Sequence, residues 1–248
     1  MIGLIQLELF KLKSKKVWLC VLLFLVAEFI WSLWAALSYS DTYDIWCYLL
    51  LQIPSLNTLL MPILISILAS RLSNNEYKGS TFKLLNTLVN PKRLYSAKFI
   101  CSSLYLLLAT LGQVLCMIVT SFIVGLTEPM PLDHIASFIL TTLLVNLCLL
   151  AFYQTLSLLF ANQVITLIAG LAGGFIGLFS LFFPPILQRL FLPSYYSILD
   201  TVLLITHMET KTFSMQYEQL DLISVGIMFL VGLSLFIVGQ IIFYKKEV

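Results

Sequence analysis

Glu28 is the twelfth residue of a 21-residue apolar run, VWLCVLLFLVAEFIWSLWAAL over 17–37. If that run crosses a bilayer, a charge near its centre costs about 2.5 to 3.5 kcal/mol on insertion scales, so the acid needs a partner, a proton or water. Two readings stay open: a functional proton or ligand site, and a protonated or helix-paired glutamate with a structural role. A proton-coupled carrier normally strings several titrating groups together, whereas the other strongly polar residues of the apolar runs are Asn57, Gln113, Asn146 and Gln154. Amides of this kind join helices by hydrogen bonds. Other chemistry finds no motif. Lys78-Gly79-Ser80-Thr81 lacks the glycine-rich cradle of GxxxxGK[ST], so the chain is not expected to hydrolyse ATP itself. HExxH and GxSxG do not occur, no two acids share an apolar run, and His134 and His207 stand singly. The five cysteines, Cys20, Cys47, Cys101, Cys116 and Cys148, show no CxxC or Cys/His zinc spacing. Only Cys47 falls in an expected external loop, so neither a metal site nor a disulfide is expected.

The elements that hold these residues are set by hydropathy. Of the 248 residues 60% are hydrophobic and 10% charged, with a mean hydropathy of +1.00, which leaves too little polar surface for a domain bathed in water. Six runs, near 17–37, 51–70, 99–124, 135–160, 164–183 and 222–243, supply the roughly 20 helical residues needed to cross about 30 Å of hydrocarbon. None alternates strictly between apolar and polar residues, so they read as helices and not as barrel strands. A single all-α membrane domain with six transmembrane helices is expected over 1–248. The first run follows a basic arm, as a secretory signal would, but it is longer than a signal's apolar region and reads as the first span. Twelve of the fourteen Lys and Arg lie in the N-terminal arm, in 71–98 or in the C-terminal tail; Arg189 and Lys211 are the others. The positive-inside rule then places both termini and the 71–98 segment in the cytoplasm, as an even number of spans requires. Basic residues lining one membrane face speak for lipid headgroups, not nucleic acid, as their partners.

Residues 1–16 put Ile2, Ile5, Leu9 and Leu12 at helical spacing with Glu8, Lys11 and Lys15 on another face, which predicts a helix lying in the interface. Trp18, Trp31, Trp34 and Trp46 fall near the ends of the first span or in the loop after it, as headgroup anchors do, with ligand contact the second reading. In GLAGGFIG, 170–177, Gly170 and Gly174, and Gly173 and Gly177, stand four apart, which lets two helix backbones approach closely, within the chain or against another subunit. The external segment 184–221 opens with Pro184 and Pro185 and is broken at Pro193. Its apolar stretch 186–205 is therefore expected as a helix on, or dipping into, the outer leaflet and not as a seventh span. Acids dominate the external loops, from Asp41 and Asp44 to Glu218 and Asp221, a favourable field for a cationic ligand.

Residues 75–98, NEYKGSTFKLLNTLVNPKRLYSAK, form a polar, basic island between the second and third spans. Ser73, Asn74 and Asn75 can cap a helix, and Tyr77, Thr81, Leu84 or Leu85, and Leu88 share one side of it. Pro91 ends this short amphipathic helix, which would suit a groove on a soluble partner. The order of Glu76, Gly79, Thr81, Leu84-Leu85, Pro91, Arg93 and Lys98 resembles the cytoplasmic loop of ABC-2 type transporter permeases, E-x-x-x-GT-x-x-x-LL-x-x-x-P-x-x-R followed by a lysine opening the third span. Two departures are visible: Ser80 separates the glycine from the threonine, and Arg93 follows Pro91 by two positions instead of three.

With its small size and no large external domain, the chain looks like the permease subunits of lantibiotic-immunity and bacitracin-resistance exporters of Gram-positive bacteria. That resemblance implies a place in the bacterial cytoplasmic membrane, two permeases, often non-identical, and two copies of a separate ATPase that binds ATP and Mg, with no cofactor in this chain. It implies that Glu76, Tyr77, Gly79, Thr81, Leu84, Leu85, Leu88, Pro91 and Arg93 form the coupling site, and that Gly170, Gly173, Gly174 and Gly177 face the second permease. Glu28, Trp31, Trp34, Asn57, Tyr195 and Tyr196 are the expected substrate pathway, and the expected cargo is a cationic, membrane-bound antimicrobial peptide. Export of an ion, lipid or drug, a proton-driven carrier using Glu28, and a scaffold that transports nothing are the alternatives.

Overall fold

A computed structural model describes residues 2–39, 44–78, 90–126, 128–160, 162–207 and 212–247. Its order is α1 (Ile2–Ser14), α2 (Val17–Tyr39), α3 (Ile45–Lys78), α4 (Pro91–Val124), α5 (Leu132–Leu159), α6 (Gln163–Ser180), α7 (Pro185–Gln188), a 3-10 turn (Leu192–Ser194), α8 (Tyr195–Ile198), β1 (Val202–His207), β2 (Thr212–Tyr217) and α9 (Leu222–Glu247). Helices α2 to α6 and α9 are the six long and apolar enough to span a membrane, as the hydropathy predicts.

Local chemistry fixes where the spans begin and end. Asn90 accepts the Lys92 N–H through its side chain, and Pro91 opens α4 at the position where a missing N–H costs nothing. Gly125, at φ 78°, closes the same helix in the left-handed conformation that favours glycine. Asn162 caps α6 by accepting the Val164 N–H. Two helices extend beyond their apolar runs: α3 starts at Ile45 and continues to Lys78, and α4 starts at Pro91 instead of 99. Hydropathy marks the stretch that fits the hydrocarbon, whereas the helix continues until a cap or a proline stops it.

The spans pack as an up-and-down bundle, with α3 at the centre against α2, α5 and α6, α4 beside α2 and α5, and α9 against α5. One end gathers the basic clusters. There Lys15 Nζ donates to Arg71 O at 3.1 Å while an Arg71 guanidinium N–H donates to Lys15 O at 2.6 Å. Gln163 Nε2 reaches Ser70 O at 3.2 Å, and Gln240 Nε2 reaches Lys92 O at 3.3 Å, so the ends of α1, α3 and α9 meet the starts of α4 and α6. We call this the basic end and its opposite the acidic end.

The segment 184–221 departs from the expected outer-leaflet helix. Prolines 184, 185 and 193 restrict helix to two four-residue pieces and a 3-10 turn, and an antiparallel hairpin follows, pairing Val202 with Tyr217 through to His207 with Thr212. The short helical pieces still enter the bundle, because Tyr196 is buried there.

Candidate functional site

Three helices meet at Glu28. The carboxylate, on α2, is 1% exposed, and Gln113 Nε2, on α4, donates to both of its oxygens at 3.0 and 2.9 Å. The same nitrogen lies 2.7 Å from Asn57 Oδ1 on α3. The amides thus join helices, as their residue types suggest, and do so around the acid. Among the described residues no Lys or Arg pairs with Glu28.

A second buried acid, Glu8, went unrecognised in the sequence, where it reads as part of a solvated helix face. It is fully buried: Lys98 Nζ lies 3.1 Å from its Oε2 and Lys11 Nζ 2.7 Å from its Oε1. Lys98 also donates to Leu72 O at 3.2 Å, so one ammonium fastens α1 and the end of α3 to the start of α4. Leu9 and Leu12, on the same short helix, supply apolar contacts to the main core. The signal that could have revealed the pair is the lysine four turns before Gln113 in an otherwise apolar helix, which demands a countercharge.

This clamp sits where the island is attached. Glu76 and Tyr77 lie in the last turn of α3, Pro91 and Arg93 in the first turn of α4, with Pro91 buried and Arg93 exposed. Gly79, Thr81, Leu84, Leu85 and Leu88 fall outside the described residues.

The six residues expected to line a pathway separate into three places. Glu28 and Asn57 share the α2–α3–α4 seam. Trp31 and Trp34 are 50% and 59% exposed on the outer side of α2, ring centroids 5.6 Å apart, and so face the surroundings of the bundle instead of its interior. Tyr196 is buried and donates to Asn146 Oδ1 at 2.6 Å, while Asn146 Nδ2 reaches Thr110 Oγ1 at 3.3 Å. Tyr195 donates to Arg189 O at 3.2 Å. Tyr196 therefore anchors the external segment to α5, while the Tyr195 bond closes a loop within the segment itself.

The α6 glycines correct another expectation. A Cβ on Gly174 would collide with Leu59 O, one on Gly170 with Ser66 Oγ, one on Gly177 with Thr58 O and one on Gly173 with the Tyr153 hydroxyl. Three of the four thus face α3 of the same chain and the fourth α5, so their close approach is spent within the chain and not on a second permease. Leu171, Phe175 and Phe179 on the same helix stay exposed.

At the acidic end a polar recess of about 350 Å³ is lined by Asp133, His134, Thr201, Tyr217 and Glu218, among others. His134 stacks on Tyr217 at 4.4 Å, and Tyr217 donates to Asp44 Oδ2 at 3.3 Å, which pins the hairpin to the starts of α3 and α5. Burial, then the nearby Cys47 and Asp44, push the Tyr217 phenol well up. Burial likewise raises the Asp200 carboxyl above the usual carboxylate range, against the pull of the Thr201 and Val202 N–H groups. Asp221 goes the other way, lowered chiefly by the Ser224 hydroxyl at the start of α9.

The chain is thus a multi-pass helical membrane bundle with a clamped basic end and a buried polar seam. Residues 4–180 match the family model described as ABC-2 family transporter protein, and the chain belongs to that family. Its members are membrane permease subunits of ABC exporters that work with an ABC ATPase. No curated protein matches the chain.

Proposed function

We propose that this permease, in a pair with a second, non-identical permease and with two copies of a separate ATPase, expels a cationic amphipathic peptide of the lantibiotic type. ATP and Mg bind the partner, whose closure moves the island at 76–90, and both termini lie with the island in the cytoplasm. The observation that carries this reading is the attachment of the island: it joins α3 and α4, the two helices that hold Asn57 and Gln113 against Glu28. A push there displaces the seam directly, because both helices are continuous from the island to the polar trio. The Glu8–Lys98 clamp makes α1 move with them. For the cargo, support comes from the acidic recess of Asp133 and Glu218, which offers a cationic group a favourable field. The exposed apolar faces of α2 and α6, with Trp31, Trp34, Phe175 and Phe179, are the surfaces offered to the second permease or to lipid-bound cargo.

The test is resistance of the native host to lantibiotics. Replacing Glu76 or Leu85 with Ala abolishes resistance while the protein still inserts in the membrane; unchanged resistance in well-expressed variants contradicts the coupling role. Resistance that never depended on the chain at all contradicts the peptide cargo.

A further inference from the structure

The polar trio is incompletely paired in a way that depends on a proton. An amide NH2 has two hydrogens, yet Gln113 Nε2 stands within 2.7 to 3.0 Å of three acceptors, the two Glu28 oxygens and Asn57 Oδ1. Meanwhile Asn57 Nδ2 and Gln113 Oε1, both buried, have no hydrogen-bond partner among the described residues. Reversing both amides sets Gln113 Oε1 against Glu28 and lets Asn57 Nδ2 donate to it. In that arrangement Glu28 needs a proton to donate, whereas the arrangement first described suits the carboxylate. The trio therefore has two complementary hydrogen-bonding patterns, one for each protonation state.

Three further buried polar atoms without a partner continue the seam towards the acidic end: Ser32 Oγ on α2, Thr120 Oγ1 on α4 and Trp46 Nε1 on α3. Ser32 follows Glu28 by four residues, Thr120 follows Gln113 by seven and Trp46 precedes Asn57 by eleven, spacings that return to the same helix face. Counting about 1.5 Å per residue from the acidic end of each helix, the trio lies about 16 to 18 Å deep, Ser32 about 10 Å, Thr120 about 6 Å and Trp46 about 2 Å. Buried polar groups of native proteins are paired, and when protein supplies no partner, water does. Ala36, Ile53 and Met117 belong with Trp46 to one buried apolar cluster.

We infer that Glu28 is a proton-binding site, loaded from the acidic end along the seam marked by Trp46, Thr120 and Ser32. Among the described residues the titratable groups that face it are Cys116, whose thiol is directed at Leu25 O on α2, and Tyr196 from α8, and α3 presents Asn57. The inference holds for any cargo and does not rest on peptide export.

Infrared difference spectroscopy of the purified protein in lipid nanodiscs, comparing pH values and then H2O with D2O, tests it. A carboxylic acid C=O band that titrates with pH is expected, absent in Glu28→Gln and displaced in Glu28→Asp. Should Glu28→Gln fail to fold, Gln113→Leu keeps the acid and is expected to shift the midpoint of the same band. Ser32→Ala combined with Thr120→Val should slow deuterium exchange of that band roughly tenfold. A spectrum with no titrating band that Glu28→Asp or Gln113→Leu alters overturns the proton site, and exchange unchanged in the double variant overturns the route.

Discussion

Two glutamates of this chain are buried almost completely, and their surroundings could hardly differ more. Glu8, at the basic end, has two ammonium groups within 3.1 Å and, through Lys98, is tied to three helices. Glu28, deep in the seam, meets amide N–H groups and no cation among the described residues. A buried charge held by countercharges is costly to disturb, and it fixes one geometry. A buried acid held by reversible amides has a second arrangement within reach, which is what a working site requires. The basic end is thus built to hold one geometry, whereas the seam has a second hydrogen-bonding arrangement within reach.

Removing one side of the clamp should produce the largest effect. Lys98→Met leaves Glu8 with Lys11 alone, and unfolding in detergent should show a loss of about 3 kcal/mol, in the range found when a buried pair is broken. Adding Glu8→Gln to that variant should recover part of the loss, because a fully buried carboxylate no longer has to be held by the part-exposed Lys11. Next comes the α6 contact. Gly174→Leu drives a side chain into the Leu59 carbonyl, a backbone atom that cannot swing aside, and should cost about 1 to 3 kcal/mol by the same measurement. Glu28→Gln sharpens the contrast from the other side: with no countercharge to strand, its stability should stay within about 1 kcal/mol of the wild type.

Smaller effects belong to the acidic end. Tyr217→Phe loses the bond to Asp44 but keeps the ring that stacks on His134, and should cost about 0.5 to 1 kcal/mol. Because burial raises the Asp200 carboxyl in the folded chain, its contribution to stability is fully present below the ordinary carboxylate pKa and is lost as pH rises through the folded value. The protection factors of the β1 amides, measured against the intrinsic exchange rate at each pH, should therefore fall as pH rises, and Asp200→Asn should remove that fall.

The spans were legible because each is a long apolar helix, and Glu28 was legible because a lone acid in such a helix is conspicuous. The glycine spacing of α6 foretold close packing but not its partner, since the same face would serve α3 or a second subunit. Glu8 was hidden because its countercharge lies 90 residues away and its own helix resembles an ordinary interfacial one. The hairpin was missed for a different reason: Val202 to Ile205 continue an apolar stretch whose pattern suits helix and strand alike, and the pairing with 212–217 decides between them.

That this permease is driven by a separate ATPase through the island is tested most directly by purifying the tagged chain from its native host in mild detergent and identifying what accompanies it by mass spectrometry. A nucleotide-binding subunit recovered with the wild type, and lost with Leu85→Ala, is the expected result. Recovery of the chain alone, under conditions that keep other membrane complexes intact, would contradict it.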